Sequence, residues 1–472
     1  MPAARPSVLR GTIDLPPLEL RARIGSWTAP ALLEGGAGLG EAGRWSILAA
    51  RPRRVVESAT GSGFRWWGDS IDFESPRDAL EGLDAFAREY RLAQPGDSPE
   101  PDDPPFQGGL IGLIGYDLAP RLERLPRQAQ PDSRLPALRF GLYDTFVLVD
   151  HATGLAELWA VDILGEGPTR LRDRRDRWLK DLAEPPAPPP ASTRLGTLTS
   201  GFTRDGYLAA ARQVLEYIAA GDIFQANLSQ RFRAAGRVVP FEIYARLRRA
   251  SPAPYAAFLG WDDLAILGAS PELFYQTRGD RIVTRPIKGT RPRSDDPAED
   301  ARLAAELLAS EKDRAELTMI VDLERNDLGR ICRFGTVRVV EPWGVGSFEN
   351  VHHLIATVEG RLRPEVGPAD VIRAVFPGGS ITGAPKIRAM EIIDELEPNR
   401  RSLYTGAVGY LGRRGQSAFN IAIRTALVEG DRVSYQVGGG IVADSDPESE
   451  YAETLDKGSA LRRVLEEFGG GR

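Results

Sequence analysis

Two stretches of this chain each read as a strand, a tight turn containing glycine and a returning strand, and they constrain its fold more than any other feature. In "PELFYQTRGDRIVTRPIKGT" (271–290), aromatic and β-branched runs flank "RGD", the pattern of a hairpin with a three-residue turn around Gly279. In "FNIAIRTALVEGDRVSYQVGGGIVAD" (419–444), a second hairpin turns near Gly430. Strands joined by so few residues can pair only antiparallel, because a parallel pair needs a long crossover. Between the strand-like runs lie helical ones, such as "RDGYLAAARQVLEYIAAGD" (204–222), amphipathic and closed by Gly221. Antiparallel sheet with packed helices makes the expected class α+β.

The clearest break is "EPPAPPPAS" at 184–192, which can be neither helix nor central strand. It divides the chain into an N-terminal region, 1–183, a proline-rich linker, 184–199, and a C-terminal domain, 200–472. Composition then excludes several functions. A net charge of −6 lacks the basic excess of a nucleic-acid binder. The start lacks the apolar core of a signal peptide, and no apolar run reaches membrane-spanning length. One cysteine, Cys332, permits no intrachain disulfide and fits a reducing cytoplasm. With only three histidines, His151, His352 and His353, the chain has no evident zinc cluster and no built-in cysteine–histidine glutaminase.

Several constellations could carry chemistry. In the expected register of the first hairpin, Glu272 lies opposite Pro286 and Lys288 is its diagonal neighbour on the same face. That placement suits a cross-strand salt bridge. It also suits an amine whose ammonium form is disfavoured, free to act as a nucleophile. Asp313 and Glu316 stand three apart on one helix-like segment, and Glu450, Glu453 and Lys457 share a stripe on another. Such stripes are commonly solvated faces; were the two helices to converge, their carboxylates would suit magnesium. In the second hairpin, the expected register sets Arg424 diagonal to Gly438, where arginine and close-approaching glycine backbone could grip a carboxylate. "GGSITGAPK" (378–386) is not a phosphate-binding P-loop, because Ala384 and Pro385 separate the last glycine from Lys386.

The strings "GDIFQANLSQRF", "SPELF", "PIKGTRPR", "KDRAELTMIVDLERNDLGRI", "FENVHHLIATVEG", "FPGGSITGAPKIRAMEIIDELEP", "YTGAVGYLG", "FNIAIRT" and "GGGIVADSDPESEYAETLDKGSAL" occur in that order. Together they resemble the chorismate-utilising enzymes, and "PALLEGGAGLGEAGRWSILAARP" is similar to that family's N-terminal part. The resemblance implies large antiparallel sheets packed as a sandwich with flanking helices. It makes 200–472 the chorismate-binding catalytic domain. Within the family, lysine in "PIKGT" marks the aminodeoxychorismate synthases, whereas anthranilate synthases carry alanine. Isochorismate and salicylate synthases place a water-activating lysine where this chain has Gln225.

By resemblance, then, Lys288 is the nucleophile and Glu272 the acid that protonates a departing hydroxyl, with neighbouring arginines helping to keep the lysine neutral. Glu316 and Glu453 hold Mg2+ directly, with Asp313 and Glu450 in support. Tyr404, Arg424 and Gly438, Gly439 and Gly440 bind the enolpyruvyl carboxylate. Gln225, Asn227, Thr290, His353 and Lys457 complete the substrate pocket. The implied reaction joins chorismate and ammonia to give 4-amino-4-deoxychorismate, for 4-aminobenzoate and folate. The ammonia would come from a separate glutamine amidotransferase subunit. The alternatives are an anthranilate synthase component I and a non-catalytic chorismate-binding subunit.

Overall fold

The computed structural model describes residues 7–36, 38–58, 63–68, 71–75, 78–93, 99–100, 102–185, 192–348 and 351–469. Residues 186–191, the centre of the expected linker, lie outside them. Among the described residues the strands form two sheets, of 13 and 12 strands, whose ladders between successive neighbours are antiparallel. Each sheet takes strands from both sides of the linker. In the larger, the strands of residues 8–161 are contiguous and join the remainder where Ala31–Glu34 pairs with Tyr255–Gly260. In the smaller, the seam is Gly109–Ile114 against Ala407–Gly412.

The sheets pack as a sandwich because their strands bury both faces. Along Gly109–Ile114, Ile111 and Leu113 point into the apolar layer between the sheets, with Phe146, Ile266 and Tyr410. Leu110 and Ile114, on the opposite face, join the layer under the helices, with Leu83, Leu317 and Ile372. This is the period-2 alternation of a strand. The larger sheet is covered on its outer face by helices that contribute Leu20, Trp178, Leu247 and Leu461. The expected α+β sandwich with flanking helices is the observed architecture.

Two helices carry the acidic stripes. The first acidic helix, Glu311–Gly329, starts where the Ser310 hydroxyl accepts from the Asp313 N–H at 3.3 Å. The second, Pro447–Glu466, starts at Asp446, which accepts from the Ser449 N–H at 2.9 Å, with Pro447 in the first turn. Each cap satisfies an otherwise orphaned N–H, an effect worth about 1 kcal/mol. Their positions fix the phase of the acidic face on each helix.

Both hairpins form, but each differs in register from the sequence expectation. In the first, Arg278 pairs with Arg281, so the turn is the two residues Gly279 and Asp280. An irregularity between Leu273 and Gln276 then restores the expected alignment, with Leu273 opposite Arg285. The hairpin ends there. Ile287–Pro292, the lysine strand, continues beyond Pro286 and pairs with Val351–Arg361, which places Lys288 opposite Leu354. Proline has no N–H to give the ladder, so the strand breaks at that residue. In the second hairpin Glu429 pairs with Arg432 and the ladder ends at Ala426 opposite Tyr435. Arg424 therefore precedes that ladder rather than lying diagonal to Gly438 within it. Its backbone is left-handed, with φ of 48°, an uncommon conformation for a residue with a side chain.

Candidate active site

The strand Arg432–Ile441 lies beside Gln225–Arg237, so that Gly438, Gly439 and Gly440 pair with Ser229, Leu228 and Asn227. Around these glycines, side chains from both sheets and from the second acidic helix come within 4 Å of where a Cβ would stand. A Cβ on Gly440 would stand 2.6 Å from the Gln225 amide nitrogen and 3.4 Å from Lys288 Nζ. One on Gly439 would meet Glu450 Oε2 at 2.8 Å, and one on Gly438 would meet the Tyr404 hydroxyl at 2.9 Å. Three side-chain-free positions thus let a lysine, an amide, a carboxylate and a phenol converge on one stretch of backbone.

Lys288 is half-buried at the centre of this group. Burial pulls its ammonium below the ordinary lysine range; Lys457 adds to the effect, while Glu316, Glu272 and Glu453 oppose it. The flanking arginines are not the cause. Arg291 is paired with Glu306 at 2.8 Å and with Asp313 at 3.4 Å, and Arg293 with Asp300 at 2.7 Å, so carboxylates meet their charges and their expected role is corrected. The next residue, Gly289, is left-handed with φ of 71°, and a Cβ there would lie 2.8 Å from the Asp313 carboxyl carbon. Glycine is therefore required to bring the lysine strand against the first acidic helix.

Glu272 is 4% exposed. It accepts from Ser380 Oγ at 2.7 Å and from the Ile287 N–H at 3.4 Å. Burial pushes its carboxyl up to about 7, against the Ser380 hydrogen bond and the charge of Lys288. A carboxyl poised near neutrality can donate a proton or accept one. Ser380 is not among the residues that the sequence singles out. It lies in the glycine-rich segment 378–386, whose Lys386 pairs with Asp327 rather than with a phosphate.

Glu316 and Glu453, one from each acidic helix, are near enough to influence each other's charge. Burial raises the Glu316 carboxyl, helped by Asp313 and Glu453 and opposed by Lys288 and Lys312. Burial also pushes Glu453 up, but Lys457 at 2.6 Å and Lys288 more than offset this, leaving it below its ordinary value. Asp313 accepts from Arg291 at 3.4 Å, and Glu450 Oε1 accepts from Ser445 at 2.6 Å. Glu450 Oε2 is buried without a partner. Among the described residues no group of three or more acidic, histidine or cysteine side chains is placed so that it could hold a metal ion by itself. Magnesium does not require one, since it binds through one or two carboxylates and keeps water and substrate oxygens. The donor set, with its orphaned buried Glu450 oxygen, fits such an open site.

The remaining predicted residues surround the same pocket. Asn227 donates to the Tyr404 hydroxyl at 3.5 Å, and Lys457 Nζ donates to the Gly438 carbonyl at 3.3 Å. Thr290 Oγ1 and His353 Nδ1 are hydrogen-bonded at 3.0 Å. Burial, reinforced by Arg424, pulls His353 down to about 4, so its ring is neutral at physiological pH. Arg424 itself is lowered by burial, and among the described residues no carboxylate pairs with it. Both polar atoms of the Gln225 amide and His353 Nε2 are buried without partners. Buried polar groups are ordinarily hydrogen-bonded, so this many orphans in one pocket point to a polar, anionic ligand.

The model of the chorismate binding enzyme family matches residues 40–463, and the chain belongs to that family. Among its relatives, aminodeoxychorismate synthase component 1 of Salmonella typhimurium is 46% identical over 78% of this chain and 79% of that protein. Anthranilate synthase component 1 of Thermus thermophilus is 41% identical over 90% of each. Among solved structures, anthranilate synthase component I from Streptococcus pneumoniae superposes with a TM-score of 0.77 at 33% identity, covering 89% of this chain and 92% of that one.

Proposed function

We propose that the chain is the synthase component that converts chorismate and ammonia into 4-amino-4-deoxychorismate through a covalent bond to Lys288. One observation carries this reading. The Lys288 amine is held towards its neutral form, in one pocket with a carboxyl held near pH 7. A neutral amine is nucleophilic and a protonated carboxyl can release a hydroxyl leaving group.

In this scheme Lys288 Nζ forms a bond to the ring carbon beside the one that bears the ring carboxylate. The diene electrons shift, the distant carbon–hydroxyl bond breaks, and Glu272 gives its proton so that water leaves. The bound amine gives a proton to the Glu272 carboxylate and ammonia attacks the vacated carbon. As the electrons return, the lysine nitrogen takes a proton back and leaves as the neutral amine, while the new ammonium group loses a proton, which leaves Glu272 protonated again. Two displacements preserve the stereochemistry at the carbon that gains nitrogen. Gln225 and His353 offer polar atoms to the ring substituents, while Tyr404, Arg424 and the glycine backbone receive the enolpyruvyl carboxylate. A magnesium ion held by Glu316 and Glu453, with Asp313 and Glu450 behind them, would fix the ring carboxylate and neutralise its charge. Glu316→Gln should therefore lose magnesium-dependent chorismate binding while unfolding stability moves by only about 0.5 kcal/mol.

Ammonia must come from elsewhere. Cys332 is buried, and burial raises its thiol to about 11, which makes it a poor nucleophile. We expect turnover with ammonium salts and none with glutamine until a separate amidotransferase subunit is added. A lone, reduced cysteine is also what a cytoplasmic enzyme would carry. The similarity to the Thermus protein sustains a second reading, in which ammonia attacks beside the ring carboxylate to give anthranilate. Incubation with chorismate, magnesium and ammonium, with the product identified by mass before and after a lyase is added, separates the two. A 4-amino product supports the proposal; fluorescent anthranilate formed by the enzyme alone overturns it.

A further inference from the structure

Away from this pocket, a cavity of about 660 Å3 lies between the loop that follows Tyr116 and the helix Lys386–Leu396. Its walls include Pro120, Leu125, Leu135, Met390 and Ile393. The carboxylates around it are engaged. Asp394 accepts from the Gln128 N–H at 2.7 Å, Asp117 from the Ser402 N–H at 3.3 Å and Asp78 from the Leu80 N–H at 2.9 Å. Glu397 is paired with Arg401 at 2.8 Å.

Two donors are different. Arg121 Nη1 is buried with no hydrogen-bond partner, and among the described residues Arg121 makes no ion pair. The Tyr116 hydroxyl is likewise buried without a partner, on a side chain 7% exposed. Both unmet groups on this wall can donate, one of them with a full positive charge, beside apolar surface. Burial holds the Arg121 guanidinium below its ordinary range, with Arg127 acting in the same sense and Asp78 and Asp117 opposing it.

We propose that this cavity is an effector site for a small organic carboxylate with an apolar body, its oxygens accepting from Arg121 and Tyr116. Its occupancy reaches the catalytic pocket through one side chain. The Arg401 guanidinium lies 5.2 Å from the Tyr116 ring and 5.4 Å from the Tyr404 ring, and it donates to the Asn227 carbonyl. A ligand that fixes Tyr116 therefore biases the two residues that hold the substrate in the proposed reaction. Such coupling is reciprocal, so the substrate should in turn change affinity at the cavity.

Benzoate is a suitable probe, with sulfate as a control for anion binding alone. Calorimetry should show one benzoate per chain, weakened at least tenfold in Arg121→Met and severalfold in Tyr116→Phe, and unchanged in Arg424→Met. The Tyr116→Phe change removes only a hydroxyl, so the test survives if Arg121→Met fails to fold. Benzoate should also change the KM for chorismate in the wild type and leave it unchanged in Tyr116→Phe. Loss of binding in Arg424→Met alone would assign benzoate to the catalytic pocket and overturn the proposal, as would absence of binding. Sulfate binding as tightly as benzoate would overturn the apolar-body requirement, and binding without any change in KM would overturn the effector role. The calorimetric result does not depend on the reaction, so it stands or falls separately from the proposed chemistry.

Discussion

Two buried charged clusters sit side by side in this molecule, and they are built on opposite rules. In one, Arg401 and Glu397, 2% and 3% exposed, are saturated. Arg401 donates to both Glu397 oxygens at 2.8 and 3.0 Å and to the Ile381 carbonyl at 3.0 Å. Glu397 also accepts from the Ser229 N–H at 2.9 Å and its hydroxyl at 2.6 Å. In the other, Lys288, Glu272, Glu316 and Gln225 share a pocket without satisfying one another. The lysine and the two carboxyl groups are pushed towards their neutral forms, and the polar atoms of the Gln225 amide are left over. The first cluster ties the Gln225–Arg237 strand to the segment that carries Tyr404, and so serves as scaffold. The second leaves both polar atoms of the Gln225 amide, His353 Nε2 and one Glu450 oxygen without partners, a pattern that clusters at functional sites.

The largest expected effect falls on the unsatisfied cluster. Lys288→Ala should reduce 4-amino product formation by roughly 10^4-fold or more, because the first displacement loses its attacker. Residual turnover should go to the 2-amino isomer by direct attack of ammonia, which product mass and fluorescence distinguish. Lys288→Arg should not restore activity, since a guanidinium stays protonated; an active arginine variant would reduce the pair to a salt bridge.

Next comes Glu272→Gln, with a loss of about 10^2–10^4-fold, the usual range for a general acid. In the wild type the acid works protonated, so kcat/KM should fall as pH rises past about 7. That alkaline limb should be missing from the residual activity of the variant.

The saturated cluster should respond in stability instead. Arg401→Met leaves Glu397 buried and unpaired, a change that costs roughly 3–5 kcal/mol, to be read by urea unfolding. A tolerated Arg401→Met would erase the contrast between the clusters.

The smallest effect sharpens it. The folded protein holds a proton on Glu272 up to about 7, whereas the unfolded chain releases it near 4.5. Between those values the native state binds more protons, so wild-type stability should decline as pH rises through that window. Glu272→Gln carries no such term, and its melting temperature relative to the wild type should climb from pH 5 to pH 8.

Much of this contrast is legible in the amino-acid order. The strand-turn-strand patterns imply the antiparallel class, and motif spacing marks out Lys288, Glu272 and both acidic helices. Register and distant pairing are not legible there. A one-residue irregularity beyond Leu273 is invisible in composition, and Pro286 breaks what reads as one long strand into two, both paired with Val351–Arg361 but only the first also paired with Leu273–Arg278. Ser380 sits 108 positions from Glu272, in a segment whose glycines and prolines speak only of turns. The Glu397–Arg401 pair is only four residues apart, but the backbone and hydroxyl partners that saturate it lie up to 174 residues away and leave no local trace. The proline-rich break suggests two separate bodies, yet edge-to-edge pairing carries both sheets across it, through hydrogen bonds that no linker composition reveals.

The contrast is tested most directly by peptide mass mapping after incubation with chorismate and magnesium in the absence of ammonia. With no second nucleophile to release it, the substrate should accumulate on Lys288 and on no other residue, with loss of one water from the sum of the masses. Addition of ammonium should then clear the adduct and yield the 4-amino product. An unmodified Lys288 in an enzyme that makes that product at full rate would rule out the covalent route.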